Sequence, residues 1–216
     1  MGLTAVVLIY SPAGKRSGAH MNPAITLGFL RLAKIQPWDA LFYMAGQFIG
    51  GAVGVFISAL LLGHKVIADA AVNYIVTIPG IWGTGVAWLA EFAISFLLMG
   101  TVLLVNQFPK LSRFTGWFAG ALIVLFVMFE APISGFGMNP ARTFGSAIMA
   151  NIWTAGWIYF TAPVLGMLAG IEIHHIFIAE YHLLCPRLNH SSHGDKIHPC
   201  VCLAKGDGNR DNSING

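Results

Sequence analysis

The chain has 216 residues, 56% of them hydrophobic and only 10% charged, against roughly 25% charge in an ordinary soluble domain. That balance argues against a soluble globular domain and for a membrane protein, which the helical stretches below make an all-α membrane protein. The net charge of +3 gives no reason to expect nucleic acid as a partner.

In chain order, residues 1 to about 13 ("MGLTAVVLIYSPA") form an apolar helix-like run too short to cross a bilayer. The run lacks the basic start and small-residue cleavage pattern of a signal peptide, so it reads as the end of a spanning helix. Next comes "NPAITLGFLRLA", again too short to span, then a full helix over 38–63. A loop with "HKVIADAAVNYIVTIPG" leads to helices near 84–106 and 113–130. The short segment "NPARTFGSAIMA" follows, and a last helix is expected over about 153–178. A bilayer core about 30 Å thick needs roughly 20 helical residues. The windows Trp38 to Gly63, Thr84 to Val105 and Trp153 to Ile171 meet that length with at most one formal charge each, and the uncharged Phe114 to Phe129 spans with its flanks.

Basic residues give the orientation, because short cytoplasmic loops carry the Lys/Arg excess. Lys15, Arg16, Arg31 and Lys34, then Lys110 and Arg113, then Arg187, Lys196, Lys205 and Arg210 all fall on one side of this arrangement. That side is expected to be the cytoplasm, with the carboxyl terminus on it, in the plasma (cell inner) membrane.

Two segments say nearly the same thing. "SGAHMNPAIT" (17–26) and "SGFGMNPART" (134–143) share seven of ten positions, and Asn22 and Asn139 lie 117 residues apart. The spans between them put the two copies in opposite topology, so the repeat is of the inverted kind. The domain reading is therefore one membrane unit over 1–180, with an incomplete first repeat at about 1–63 and a second at about 84–178. After each short segment comes a stripe of small residues at intervals of four: Gly46, Gly50 and Gly54, then Ala162, Gly166 and Gly170. Such stripes let helix backbones approach closely in lipid.

Asparagine is among the best helix caps, and proline is favoured in the first helical turn. Asn22, Pro23 and Ala24, and again Asn139, Pro140 and Ala141, therefore mark two helix starts. Half-helices at membrane depth are tolerated only where protein packs them or a watery cavity runs beside them. Two that enter from opposite faces meet by their amino-terminal ends near the midplane, where both macrodipoles repel cations, hydronium included. The Asn22 and Asn139 amides are then expected to donate hydrogen bonds to a passing oxygen atom.

The paired motifs, with the Glu in "AWLAEFAISFLL" and the Gln in "AGQFIGG", resemble the major intrinsic proteins, the aquaporins and glycerol facilitators. The resemblance covers residues 2 to about 178. It implies an aquaporin-like inverted repeat with two re-entrant half-helices, the first spanning helix missing and the second clipped. It also implies the mechanism of that family, in which pore diameter, lining donors and half-helix dipoles exclude protons. By resemblance, Arg142 holds the constriction, with Val127, Phe136 and Met1 at its other positions. Water-selective members usually place His where Val127 stands; glycerol facilitators place a small residue there and an aromatic in the loop. Thr143 and Ala147, where facilitators carry Asp and Lys, and the aromatic pair Tyr159 and Phe160 favour water. Glu91 is expected to accept backbone N–H groups near Phe136. His20 either edges the inner vestibule or caps the loop, and Gln47 is either polar glue or a loop anchor.

The expected function is a passive channel for water, with other small uncharged solutes allowed, in a homotetramer within the lipid bilayer. The alternatives are a glycerol- or urea-type facilitator, or a truncated membrane protein that does not conduct. No nucleophile and base constellation, phosphate loop or cofactor motif is present in the spans, so an enzyme is not expected, and no cofactor. In the tail over 181–216, His182, Cys185, His190, His193, His198, Cys200 and Cys202 form a weak candidate for a soft metal site. A solvated, disordered tail is the preferred reading of that segment, whose last stretch is rich in Gly, Asp and Asn.

Overall fold

The computed structural model describes residues 1–108 and 110–177. The metal candidates of the tail lie outside the described residues. The order is α1 (Gly2–Tyr10), α2 (Pro12–Ser17), α3 (Pro23–Arg31), α4 (Pro37–Leu62), α5 (His64–Ile67), α6 (Gly83–Gln107), α7 (Thr115–Phe129), α8 (Ala131–Ser134), α9 (Pro140–Ala150) and α10 (Trp157–Phe177). No strand occurs among the described residues. Among the described residues, four helical stretches are long and apolar enough to cross a membrane: Pro37–Leu62, Gly83–Gln107, Ser112–Phe129 and Trp157–Phe177. The last begins four residues later than the sequence suggests, because Asn151 ends α9 in the left-handed conformation and a turn over 153–156 precedes α10.

Both expected half-helices are present. α3 and α9 start at the two Asn-Pro steps, and each is too short to span. Asn22 Oδ1 accepts from the Ala24 N–H at 2.9 Å; Asn139 Oδ1 accepts from Ala141 N–H at 3.0 Å and Arg142 N–H at 3.3 Å. The capping satisfies amide donors that have no partner within the helix.

Long helices pair through small residues. A methyl group on Gly166 of α10 would lie 2.3 Å from the Phe92 carbonyl oxygen of α6, and one on Gly170 would lie 3.1 Å from that of Phe96. Gly2 of α1 would meet the Gly120 carbonyl oxygen of α7 at 2.3 Å in the same way. The α4 stripe differs. Nothing lies within 4 Å of a methyl built on Gly46, Gly50 or Gly54; the close approach on α4 is made instead by Gly51, which faces Ala141 and Gly145 of α9. None of the most apolar window of α4 is buried, against 44% of that of α6. The stripe was expected to seat a helix, and among the described residues no helix lies over it. The main core joins α3 to α6, α7 and α10 through Phe29, Leu98, Met99, Leu103, Ala119, Met167 and Ile171.

Candidate functional site

The two repeated decapeptides fold alike, bond by bond. Ser17 Oγ accepts from the Ala19 N–H at 3.2 Å, and Ser134 Oγ from the Phe136 N–H at 3.1 Å. The glycine after each serine is left-handed, with φ of 84° at Gly18 and 85° at Gly135, a region that a residue without Cβ enters freely. The next residue stays left-handed, with φ of 59° at Ala19 and 56° at Phe136. A tyrosine from the long helix behind each copy then donates to the serine carbonyl: Tyr43 Oη to Ser17 O at 3.1 Å, and Tyr159 Oη to Ser134 O at 2.5 Å.

The copies are also tied to each other. Asn22 Nδ2 donates to Met138 O at 2.8 Å, and Asn139 Nδ2 donates to Met21 O at 2.6 Å. This reciprocal pair joins the amino-terminal ends of α3 and α9, so both positive dipole ends share one spot. The amides are therefore not wholly free for a passing molecule, as the sequence suggested. Each carboxamide nitrogen carries two hydrogens, and one of them is committed to the opposite loop.

Their supports differ. Glu91 is fully buried, and its carboxylate accepts from the Gly137 N–H, from Met138 N–H at 2.6 Å and from Ser134 Oγ at 2.6 Å. At the first loop the matching amides go elsewhere, His20 N–H to Tyr43 Oη at 3.1 Å and Met21 N–H to Ala19 O at 2.9 Å. Gln47 braces that loop by donating to His20 O and to Thr26 Oγ1, which makes it a loop anchor. Its own Oε1 has no partner among the described residues. Glu130, one residue beyond the end of α7, is buried with neither oxygen in hydrogen-bonding geometry with a described partner. Burial pushes its pKa up to about 7.

Arg142, half-buried in the first turn of α9, donates through Nη1 to Phe136 O at 2.8 Å and to Thr77 Oγ1 at 2.6 Å. Beside it lies a cavity of about 330 Å³ whose lining includes Met1, Asn22, Ile25, Phe136, Asn139 and Arg142. Three of the four expected constriction positions thus line one space. Val127 does not; it is half-buried and packs against the core cluster that contains Phe136. A second, larger cavity of about 790 Å³ runs along the exposed face of α4, past Gly46, Gly50 and Gly54, and shares Met21, Asn139 and Arg142 with the first.

Pro23, Ala24, Pro140 and Ala141 are buried in the first turns of the half-helices, and Thr143 and Ala147 are buried on α9. Phe160 is half-buried and stacks on Phe48 with ring centres 6.3 Å apart. His20 is buried and stacked on Phe29 at 4.6 Å, and the cap of α3 is Asn22 rather than His20. Thr77, Ser134 and Tyr43 were missed as contributors. Ser134 stood inside the repeated phrase, and Tyr43 lies 116 residues before Tyr159, the separation of Gly46 from Ala162, so aligning the two small-residue stripes would have found the tyrosine pair.

The sequence profile described as "Major intrinsic protein" matches residues 1–174. The chain belongs to the major intrinsic protein family. It is 38% identical over 178 residues to Aquaporin NIP1-3 of Oryza sativa subsp. japonica, covering 81% of this chain and 59% of that protein. To Aquaporin NIP6-1 of Arabidopsis thaliana it is 37% identical over 176 residues, covering 81% and 55% respectively. It thus spans little more than half the length of these relatives. In fold it is similar to the X-ray structure of the aquaglyceroporin from Plasmodium falciparum, with a TM-score of 0.68 at 21% identity, covering 80% of this chain and 78% of that one. Membership of a family of channels rather than enzymes, with apolar helices of spanning length, makes this major intrinsic protein an integral membrane protein.

Proposed function

We propose that this major intrinsic protein forms a passive channel for water that admits small uncharged solutes more slowly and excludes protons and ions. The observation that carries the reading is the junction of the two half-helices. Asn22 and Asn139 lock the positive ends of α3 and α9 together beside a cavity that Arg142 also lines. A cation there meets two dipole ends and a fixed positive charge, whereas a neutral molecule meets hydrogen-bond donors. Phe136 and Met1 would narrow the passage beside Arg142, with Val127 behind them. Homotetrameric assembly, residence in the plasma membrane and a cytoplasmic carboxyl terminus complete the proposal.

Stopped-flow swelling of proteoliposomes in water, glycerol and urea tests it. Water flux well above that of empty liposomes, with slower glycerol and urea, is the expected result. Flux equal to that of empty liposomes for all three solutes refutes the channel reading for this chain. Asn139→Asp should weaken cation exclusion, read as a raised proton leak alongside a lowered water rate.

Two observations support other readings. The cavity wall at Ile9, Ile25, Leu98, Val102 and Phe136 is apolar, which suits the carbon backbone of glycerol and favours a facilitator. The open groove on α4 joins the cavity at Met21, Asn139 and Arg142, which favours a chain that conducts nothing until that face is covered.

A further inference from the structure

We propose that Thr77 is a positioning residue of the constriction, its hydroxyl fixing the plane of the Arg142 guanidinium and so setting which solutes pass. Arg142 Nη1 carries two hydrogens in the guanidinium plane, and each has one acceptor: Phe136 O from the preceding loop and Thr77 Oγ1 from the distant 76–80 segment. A single acceptor leaves the group free to swing about one bond. Two acceptors on one nitrogen fix its plane, and Arg142 lines the cavity in that orientation.

Thr77 is itself held. It is 3% exposed, and Thr143 Oγ1 lies 3.5 Å from its oxygen. Its strand of chain is sealed onto the run that leads into Phe136: Gly80 N–H donates to Ile133 O at 2.9 Å, and Ile78 O lies where a methyl on Gly135 would be, 2.4 Å away. The two acceptors of Arg142 are thus fixed relative to one another by backbone contact, and the guanidinium takes its orientation from both. If Thr77 only filled space, an isosteric valine would be silent.

The consequence for solutes rests on the channel reading above; the geometry does not, and the experiment separates them. Thr77→Val and Thr77→Ser are made in the full chain and reconstituted with wild type. Arg142 is labelled with phenylglyoxal and read by peptide mass spectrometry, with Arg31 and Arg113 as internal controls for the fold. Thr77→Val should label at Arg142 about fivefold faster or more, the factor for one lost hydrogen bond, with Thr77→Ser near wild type. In the same vesicles the glycerol-to-water flux ratio should change severalfold in Thr77→Val and be rescued in Thr77→Ser. Arg142 labelling at the wild-type rate in Thr77→Val, with the controls unchanged, overturns the proposal whatever the flux. A flux ratio equal to wild type, in a channel that conducts and whose Arg142 labelling has risen, overturns the role in selectivity. Wild type that swells no faster than empty liposomes refutes the channel reading, and the labelling then still decides the geometry.

Discussion

The two motif loops share nearly every local bond, yet the second is buttressed from within and the first is not. Serine, left-handed glycine, capping asparagine and tyrosine hook recur in both. What the second adds is Glu91, a buried carboxylate that gathers two backbone amides and a hydroxyl. The helix behind it is likewise seated on α6 through Gly166, whereas the stripe on α4 faces open space. Local sequence therefore builds the loop's conformation, and packing from elsewhere decides how firmly it is held.

The largest effect should come from breaking that seating. Gly166→Leu places side-chain atoms onto the Phe92 carbonyl and should cost about 3 kcal/mol, at the upper end for overpacking. Gly50→Leu, where nothing lies within 4 Å, should cost nothing and gain up to about 1 kcal/mol by removing a glycine from the interior of α4. Unfolding of the detergent-solubilised chain in a denaturant series reads both, and equal costs would remove the contrast between the stripes. Next comes Glu91→Gln, which keeps one acceptor oxygen and turns an N–H₂ toward either the Met138 N–H or the Gly137 N–H. A loss of about 2–3 kcal/mol is expected from weakened charge-assisted bonds, against about 1 kcal/mol for Gln47→Ala at the first loop.

A smaller effect distinguishes the segments leading into the loops. Four residues before the motif serine the second copy carries Glu130, where the first has Ala13. With its folded pKa raised from 4.5 to about 7, Glu130 holds its proton more tightly in the folded chain than in the unfolded one. Between pH 4.5 and 7 the folded state binds more protons, so stability falls as pH rises through that window and levels off above it. The full shift corresponds to about 3.4 kcal/mol, which solvent screening of this incompletely enclosed group cuts to the order of 1–2 kcal/mol, and Glu130→Gln should flatten the fall. Denaturation midpoints at pH 5, 6 and 7 measure this; a slope of the same size in Glu130→Gln assigns it to another group.

The sequence was legible wherever a bond is local. Asn-Pro-Ala announces a helix start because its capping partner sits two residues on, and the same phrase said twice announces two half-helices. The stripe at Gly46, Gly50 and Gly54 misleads for the converse reason. Spacing shows that a helix face is small, but only a partner makes it close-packed, and Gly51, outside the stripe, does that work against α9. Arg142 directly follows the second Asn-Pro-Ala, so the family resemblance picked it out. Its partner Thr77 did not, because it is 65 residues away in an irregular segment with no period and no motif.

The finest test of the comparison is the tyrosine pair. Tyr43 and Tyr159 make the same bond to the same motif serine, but Tyr159 is wholly buried and Tyr43 only half so. Removing the Tyr159 hydroxyl strands the Ser134 carbonyl in a dry setting, so Tyr159→Phe should cost about 1–1.5 kcal/mol. Water can replace the Tyr43 hydroxyl at the Ser17 carbonyl, which alone would make Tyr43→Phe cheap. Tyr43 Oη also accepts the His20 N–H, however, a duty that Glu91 carries in the other loop. Tyr43→Phe should therefore cost about 0.5–1 kcal/mol rather than nothing, and Gln47→Ala combined with it should cost more than the sum of the two. Strict additivity would mean that the first loop is held by independent contacts; a surplus would mean that Tyr43 and Gln47 together do for the first loop part of what one buried carboxylate does for the second.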